Sequence, residues 1–298
     1  MNITADFKAK VMQALADKRK NFGGSDSAFA NQQGINPSVF SRLKKGETEG
    51  LLKDTQWLTL GRELDVQVNT RKWNMAKTEV FDAIKADVLF CKNNAKGIVL
   101  VDDCAIGKSY SAKYLSRTVE NCFYLDCSQS KTKSVFIRAM AKVLGIDTAG
   151  RIQDVKANIK YYLRMLNNPV LILDEAGDLE YTAFLELKEF WNGTEGTVGW
   201  YLMGADGLRE KMERGINNRK VGYRELLSRY SDKFMKIIPT EKQDRLAFYK
   251  KMITDVVSVN VKDKSKIGML VQKCMYGDAG GDVGGLRRLE TLIILNDA

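Results

Sequence analysis

Apolar residues along this chain follow two rhythms. Between residues 3 and 20, Phe7, Val11, Leu15 and Ala16 share one face of a helical pattern that ends in Lys18-Arg19-Lys20. A helical stripe returns from Trp73 to Cys91, carried by Val80, Phe81, Ile84, Val88 and Leu89. Beyond it come short apolar runs: Val99 to Val101, Cys122 to Cys127, Val170 to Leu173, Gly199 to Gly204, and Phe234 to Pro239. Runs that do not alternate predict strands buried on both faces, as in a parallel sheet. Helices are predicted between them: from Tyr110 to Arg117, from an opening at 128–133 through Leu144, around Val155–Leu166, and from Tyr181 to Trp191. Residues 241–298 read as helices. The predicted class is α/β, with an all-α segment in front.

The first apolar run breaks into Gly107-Lys108-Ser109 and then a helix, the order of a phosphate-binding P-loop. Such a loop aims backbone N–H groups and a helix N-terminus at phosphate, Lys108 adds positive charge, and Ser109 can ligate Mg²⁺. Ala105, Ile106, Gly107, Lys108, Ser109 and Tyr110 are therefore the candidate nucleotide contacts. The full pattern asks for glycine where this chain has Asp102, and Asp102 and Asp103 place negative charge near the phosphates. The competing reading, a Gly-Lys-Ser that opens an ordinary helix, is weakened by the run Val170 to Glu175. That run predicts a buried strand delivering two carboxylates at its C-terminal end, where α/β sheets bind ligands. Asp174 would hold Mg²⁺, directly or through water, and Glu175 would polarise the attacking water.

At 298 residues, 44% of them hydrophobic, the chain suits two or three packed domains. No apolar run reaches membrane-spanning length and no signal-peptide layout opens the sequence, so a cytoplasmic protein (in a bacterial host cell) without a membrane partner is expected. Five cysteines at irregular positions and no histidine argue against a disulfide framework, a zinc site and every mechanism with a histidine base. A net charge of +10 makes nucleic acid the leading macromolecular partner. Within 127–169, eight Lys/Arg stand against Asp147 and Asp154. A solvated helix face normally mixes signs, so the bias favours a phosphate-tracking surface led by Lys131, Lys133 and Arg151. A second basic cluster, Arg209 to Arg224, follows.

Residues 27–46 resemble the helix-turn-helix of the lambda-repressor-like family. Ala30 suits the crossing of two helices, Gly34 the turn, and Pro37 the first turn of the second helix, with Val39 and Leu43 packing inward. Arg42, Lys44 and Lys45 on that second helix are candidate DNA contacts. A small helical bundle with a protein-binding role is the alternative, since the first 70 residues carry ten basic and eight acidic residues.

The order of strand, P-loop, basic helices, Asp-Glu strand, Leu226-Leu-Ser-Arg-Tyr230, last strand and helical lid with Gly284-Gly-Leu-Arg287 resembles the AAA+ ATPases. The resemblance implies an AAA+ P-loop NTPase core over 71–240, a small helical lid over 241–298, and a helix-turn-helix domain over 1–70. It implies ATP and Mg²⁺ as cofactors, Arg229 acting on a neighbouring subunit's γ-phosphate, and Arg287 as the lid arginine; ordinary surface arginines are the alternative for both. It also implies that the segment before the P-loop strand packs on adenine. A polar residue is usual at the end of the fourth strand, where Gly204-Ala205-Asp206 leaves only Asp206. The domain order further resembles the MuB/TnsC group of ATP-dependent DNA transposition proteins. That implies homo-oligomeric filaments on double-stranded target DNA, bound without strong sequence preference, and delivery of that DNA to a transposase. An ATP-gated transcriptional regulator and a helicase-loader-like ATPase are the alternatives.

Overall fold

The computed structural model describes residues 3–20, 22, 25–64, 66–67, 73–276 and 283–297; the domain boundary expected at 70/71 lies outside them. The chain opens with helices α1 (Ala5–Lys20), α2 (Asp26–Gln32), α3 (Pro37–Lys44) and α4 (Asp54–Glu63). Their own core holds Val11, Leu15, Phe29, Ala30, Phe40, Leu43 and Trp57. Ser25 caps α2 and Asn36 caps α3, with Pro37 in its first turn and Gly34 at φ +67° between them. Ala16 is exposed, whereas Val39 is half-buried and packs against this core.

The core begins with α5 (Glu79–Asn94), capped by Thr78. It continues through β1 (Gly97–Val101), α6 (Lys108–Thr118), β2 (Cys122–Asp126), α7 (Lys133–Leu144), α8 (Ile152–Met165) and β3 (Val170–Asp174). Next come α9 (Tyr181–Gly193), β4 (Gly199–Gly204), α10 (Asp206–Asn217), α11 (Tyr223–Arg229) and β5 (Phe234–Met235). Helices α12 (Lys242–Asn260), α13 (Ile267–Met275) and α14 (Leu286–Asp297) follow. The strands form one parallel sheet in the order β2-β3-β4-β1-β5.

Both faces of that sheet are covered, which is why its strands read as unbroken apolar runs. Val99, Val101, Leu171, Leu173, Trp200 and Leu202 pack under α7 to α11. Their alternates Ile98, Leu100, Val170, Ile172, Tyr201 and Met203 pack under α5, α6 and α12 to α14. On α7, Phe136, Ile137, Met140, Ala141 and Leu144 are buried and Val135 is exposed.

The last strand is shorter than the run Phe234–Pro239 predicts. Only Phe234 and Met235 pair with β1, because the N–H groups of Ile237 and Ile238 go to the Asp102 carboxylate instead. Helix α10 was not predicted: its buried stripe of Leu208, Met212 and Gly215 hides among charged residues.

The charge bias of 127–169 is also offset in space. Acids of α9 and the turn before it pair with it: Lys131 with Asp178 at 3.0 Å, Lys133 with Glu186 at 2.5 Å, and Lys160 with Glu189 at 3.0 Å. Lys156 is buried between Glu186 and Glu189. Arg138 and Arg164 donate to backbone carbonyls.

Candidate functional site

The C-terminal ends of β1, β3 and β4 lie side by side, and the loops that follow them border one cleft. Gly107 begins α6 at φ +95°, a backbone conformation glycine adopts without strain, and an added Cβ would come within 3.3 Å of Leu286. The N-terminus of α6 therefore opens into a cavity of about 360 Å³ lined by residues 104–111, Glu175, Ala205 and Arg287, among others. Ala105, Ile106, Gly107, Lys108, Ser109 and Tyr110 all border it.

The Lys108 ammonium donates to the carbonyls of Asp102 (2.7 Å) and Asp103 (2.6 Å). Burial pulls its pKa below the usual lysine value. The two aspartates that the sequence places near the phosphates point elsewhere, which corrects that expectation. Asp102 is buried, with one carboxylate oxygen accepting the N–H groups of Ile237 (2.5 Å) and Ile238 (2.9 Å) and the other that of Asp103 (2.8 Å). Asp103 meets the Arg245 guanidinium at 2.5 Å and accepts from the Tyr249 hydroxyl at 2.7 Å. Sequence motifs gave no sign of either role, because the partners lie more than a hundred residues downstream.

Asp174 is buried at the end of β3 and accepts from the Tyr124 hydroxyl (2.9 Å) and the Glu175 N–H (3.0 Å). The backbone then turns left-handed at Glu175, φ +50°, and that residue lines the cleft. Burial, and next the Asp174 charge, push the Glu175 pKa above the ordinary glutamate range, against the opposing pull of Lys108. A base must be ionised to accept a proton, so a raised pKa moves the acid limb of activity upward. With Glu175 as the base, the acid limb of ATP hydrolysis at saturating nucleotide is therefore expected to lie above the pH at which an ordinary glutamate titrates. An acid limb at or below the ordinary glutamate range would rule Glu175 out as the titrating base.

The remaining walls come from both ends of the core. Trp73, Met75 and Ala76, from the segment expected against adenine, line the cleft, and Tyr110 donates to the Trp73 carbonyl (2.9 Å). Leu286 and Arg287 enter from the start of α14, where the Leu286 N–H donates to the Ala105 carbonyl (2.7 Å). Cys104 is exposed at the cleft edge. Ala205 borders the cleft, whereas Asp206 is an exposed residue of the first turn of α10.

Other candidates lie apart from this cleft. Arg229 lies beside Gly97, the first residue of β1, at the sheet end opposite the phosphate loop. It donates to Asn192 (2.9 Å) and to the Glu225 carbonyl (2.5 Å), with its guanidinium 5.7 Å from the Trp191 ring centre. Arg151 precedes α8 as an exposed residue and has no ion-pair partner among the described residues. Arg42 pairs with Glu47 and Lys44 with Asp26, while Lys45 is exposed at the end of α3.

Sheet order, phosphate loop and the Asp174-Glu175 strand end define an α/β P-loop NTPase core. Residues 92–212 match the family model described as AAA domain. Among solved structures, the chain is similar to NtrX from Brucella abortus in complex with ATP: 16% identity, TM-score 0.42, 86% of this chain and 60% of that one. It is also similar to Drosophila ORC bound to DNA: 14% identity, TM-score 0.45, 84% of this chain and 64% of that one. The chain thus spans under two thirds of the length of either structure. No curated protein matches it by sequence. Among the described residues, no helix is long and apolar enough to cross a membrane.

Proposed function

We propose that this protein is an ATPase that assembles in many copies on duplex DNA when ATP is bound and delivers that DNA to a transposase in the bacterial cytoplasm. The observation that carries the reading is the meeting of Lys108, Ser109, Glu175 and Arg287 in one cleft, from three separate parts of the chain. A glycine at the mouth of α6 and an ammonium bonded only to loop carbonyls suit an incoming phosphate. Ser109 and Asp174 would hold Mg²⁺, which supplies charge neutralisation at the phosphate oxygens. Lys108 would bind the phosphate chain, Glu175 would take a proton from the attacking water, and Arg287 would face the transferred group. Arg229, at the far end of β1, would serve a nucleotide held by another copy.

Lys131, Lys133 and Arg151 would contact DNA phosphates in each copy, with Arg42, Lys44 and Lys45 adding contacts from α3. Because Lys131 and Lys133 already have acid partners, Arg151 is the least committed cation of the three. Lys131→Ala with Arg151→Ala is expected to lower the slope of log affinity against log salt by about 2 per protomer while leaving ATP binding intact. An unchanged slope would remove both residues from the interface.

The deciding experiment is electron microscopy of the protein with random-sequence duplex DNA in ATP, in ADP and without nucleotide. Filaments formed only with ATP support the reading. Isolated particles in every state, together with tight binding to one short sequence, would favour a nucleotide-gated regulator.

A further inference from the structure

Two separate contacts join the phosphate loop to the C-terminal helices. One is backbone: the Leu286 N–H donates to the Ala105 carbonyl at 2.7 Å, and Gly285 lies so close that an added Cβ would stand 2.8 Å from the Ala105 Cβ. The other is made of side chains: Asp103, two residues after the end of β1, reaches Arg245 at 2.5 Å and Tyr249 at 2.7 Å. Arg245 and Tyr249 are four apart on α12 and so share one face, with the guanidinium 5.4 Å from the Tyr249 ring centre.

These contacts have different consequences. An aspartate in a phosphate loop would repel a nucleotide if left bare, and Arg245 neutralises it. Helices α12 and α14 share one core through Ile253, Val256, Leu289 and Ile293, so a seat for α12 also sets α14 and its Arg287. The carbonyl of the same Asp103 holds Lys108 at 2.6 Å. One residue therefore touches both the cation that must turn to phosphate and the helix that closes over it.

We propose that Asp103, through Arg245 and Tyr249, is a positioning residue that seats the C-terminal helices on the phosphate loop and thereby presents Arg287 to the nucleotide. The second half of this rests on the nucleotide reading of the cleft. The seat itself does not.

The test uses the full chain and two readouts. Asp103→Asn keeps an acceptor for Tyr249 and removes the charge that holds Arg245; Arg245→Met removes the partner without touching the loop. Hydrogen exchange without nucleotide is expected to speed up at least tenfold across α12 and the first turns of α14 in both variants, with β3 and β4 unchanged. Titration with a fluorescent ATP analogue is expected to show about tenfold weaker binding in Asp103→Asn and in Arg287→Ala, and no more than about threefold further loss in the double variant. Unchanged exchange in α12 and α14 overturns the seat whatever the nucleotide does. Losses that multiply to about a hundredfold in the double variant overturn action through Arg287. Wild-type protein that binds no nucleotide, while both variants still loosen α12 and α14, would sink the nucleotide reading and support the seat.

Discussion

Glu175→Gln is expected to bind ATP as tightly as the wild type while hydrolysing it between about 100- and 10,000-fold more slowly, the range that a positioned general base contributes. The substitution keeps the side chain's shape and removes its basicity. It leaves the loop, Lys108 and the Asp174 hydrogen bonds from Tyr124 and the Glu175 N–H in place. If hydrolysis is what releases the assembly, the variant's DNA complex should outlive the wild type's in ATP. Phosphate release and the rate of dissociation from DNA after dilution measure both consequences. Hydrolysis at the wild-type rate would remove Glu175 as the base, and a complex that falls apart faster than wild type would break the proposed link between turnover and DNA release.

The main lines of the core were legible because they depend on burial, and burial leaves a pattern in the chain. Strands covered on both faces appear as runs such as Val170 to Leu173, and Gly107-Lys108-Ser109 stands where the first run ends. What stayed hidden depends on pairing across long separations. The excess of lysine in 127–169 looked unopposed until α9 brought Glu186 and Glu189 against Lys133, Lys156 and Lys160. A count along the chain registers charge but not its partner. Asp102 and Asp103 were legible as departures from a motif, yet their meaning lies at 237, 238, 245 and 249. Even the length of β5 follows from this: two N–H groups that the apolar run Phe234–Pro239 assigned to a strand are taken by a side chain.

Asp102→Gly restores the residue that the phosphate-loop pattern asks for, and it is expected to make the protein worse. The Asp102 carboxylate is buried and accepts three backbone N–H groups, from Asp103, Ile237 and Ile238. Glycine offers none of these acceptors. An unsatisfied buried donor costs about 1–3 kcal/mol, and glycine adds about 0.5–1 kcal/mol of backbone entropy. With the Asp103 N–H able to find water, the expected loss is roughly 3–6 kcal/mol, a fall of about 10 °C or more in the Tm of a core this size. The loss should concentrate at β5, whose two paired residues hold it weakly to β1 without the Asp102 clamp. That strand connects the segment bearing Arg229 to α12, so exchange of its amides should rise first and the Tm should follow. Asp102→Asn, which keeps one acceptor oxygen, should fall between the two. If Asp102→Gly melts within about 2 °C of wild type, the carboxylate does not secure the strand. If the Tm falls as expected, the departure from the glycine pattern is a structural requirement of this sheet edge.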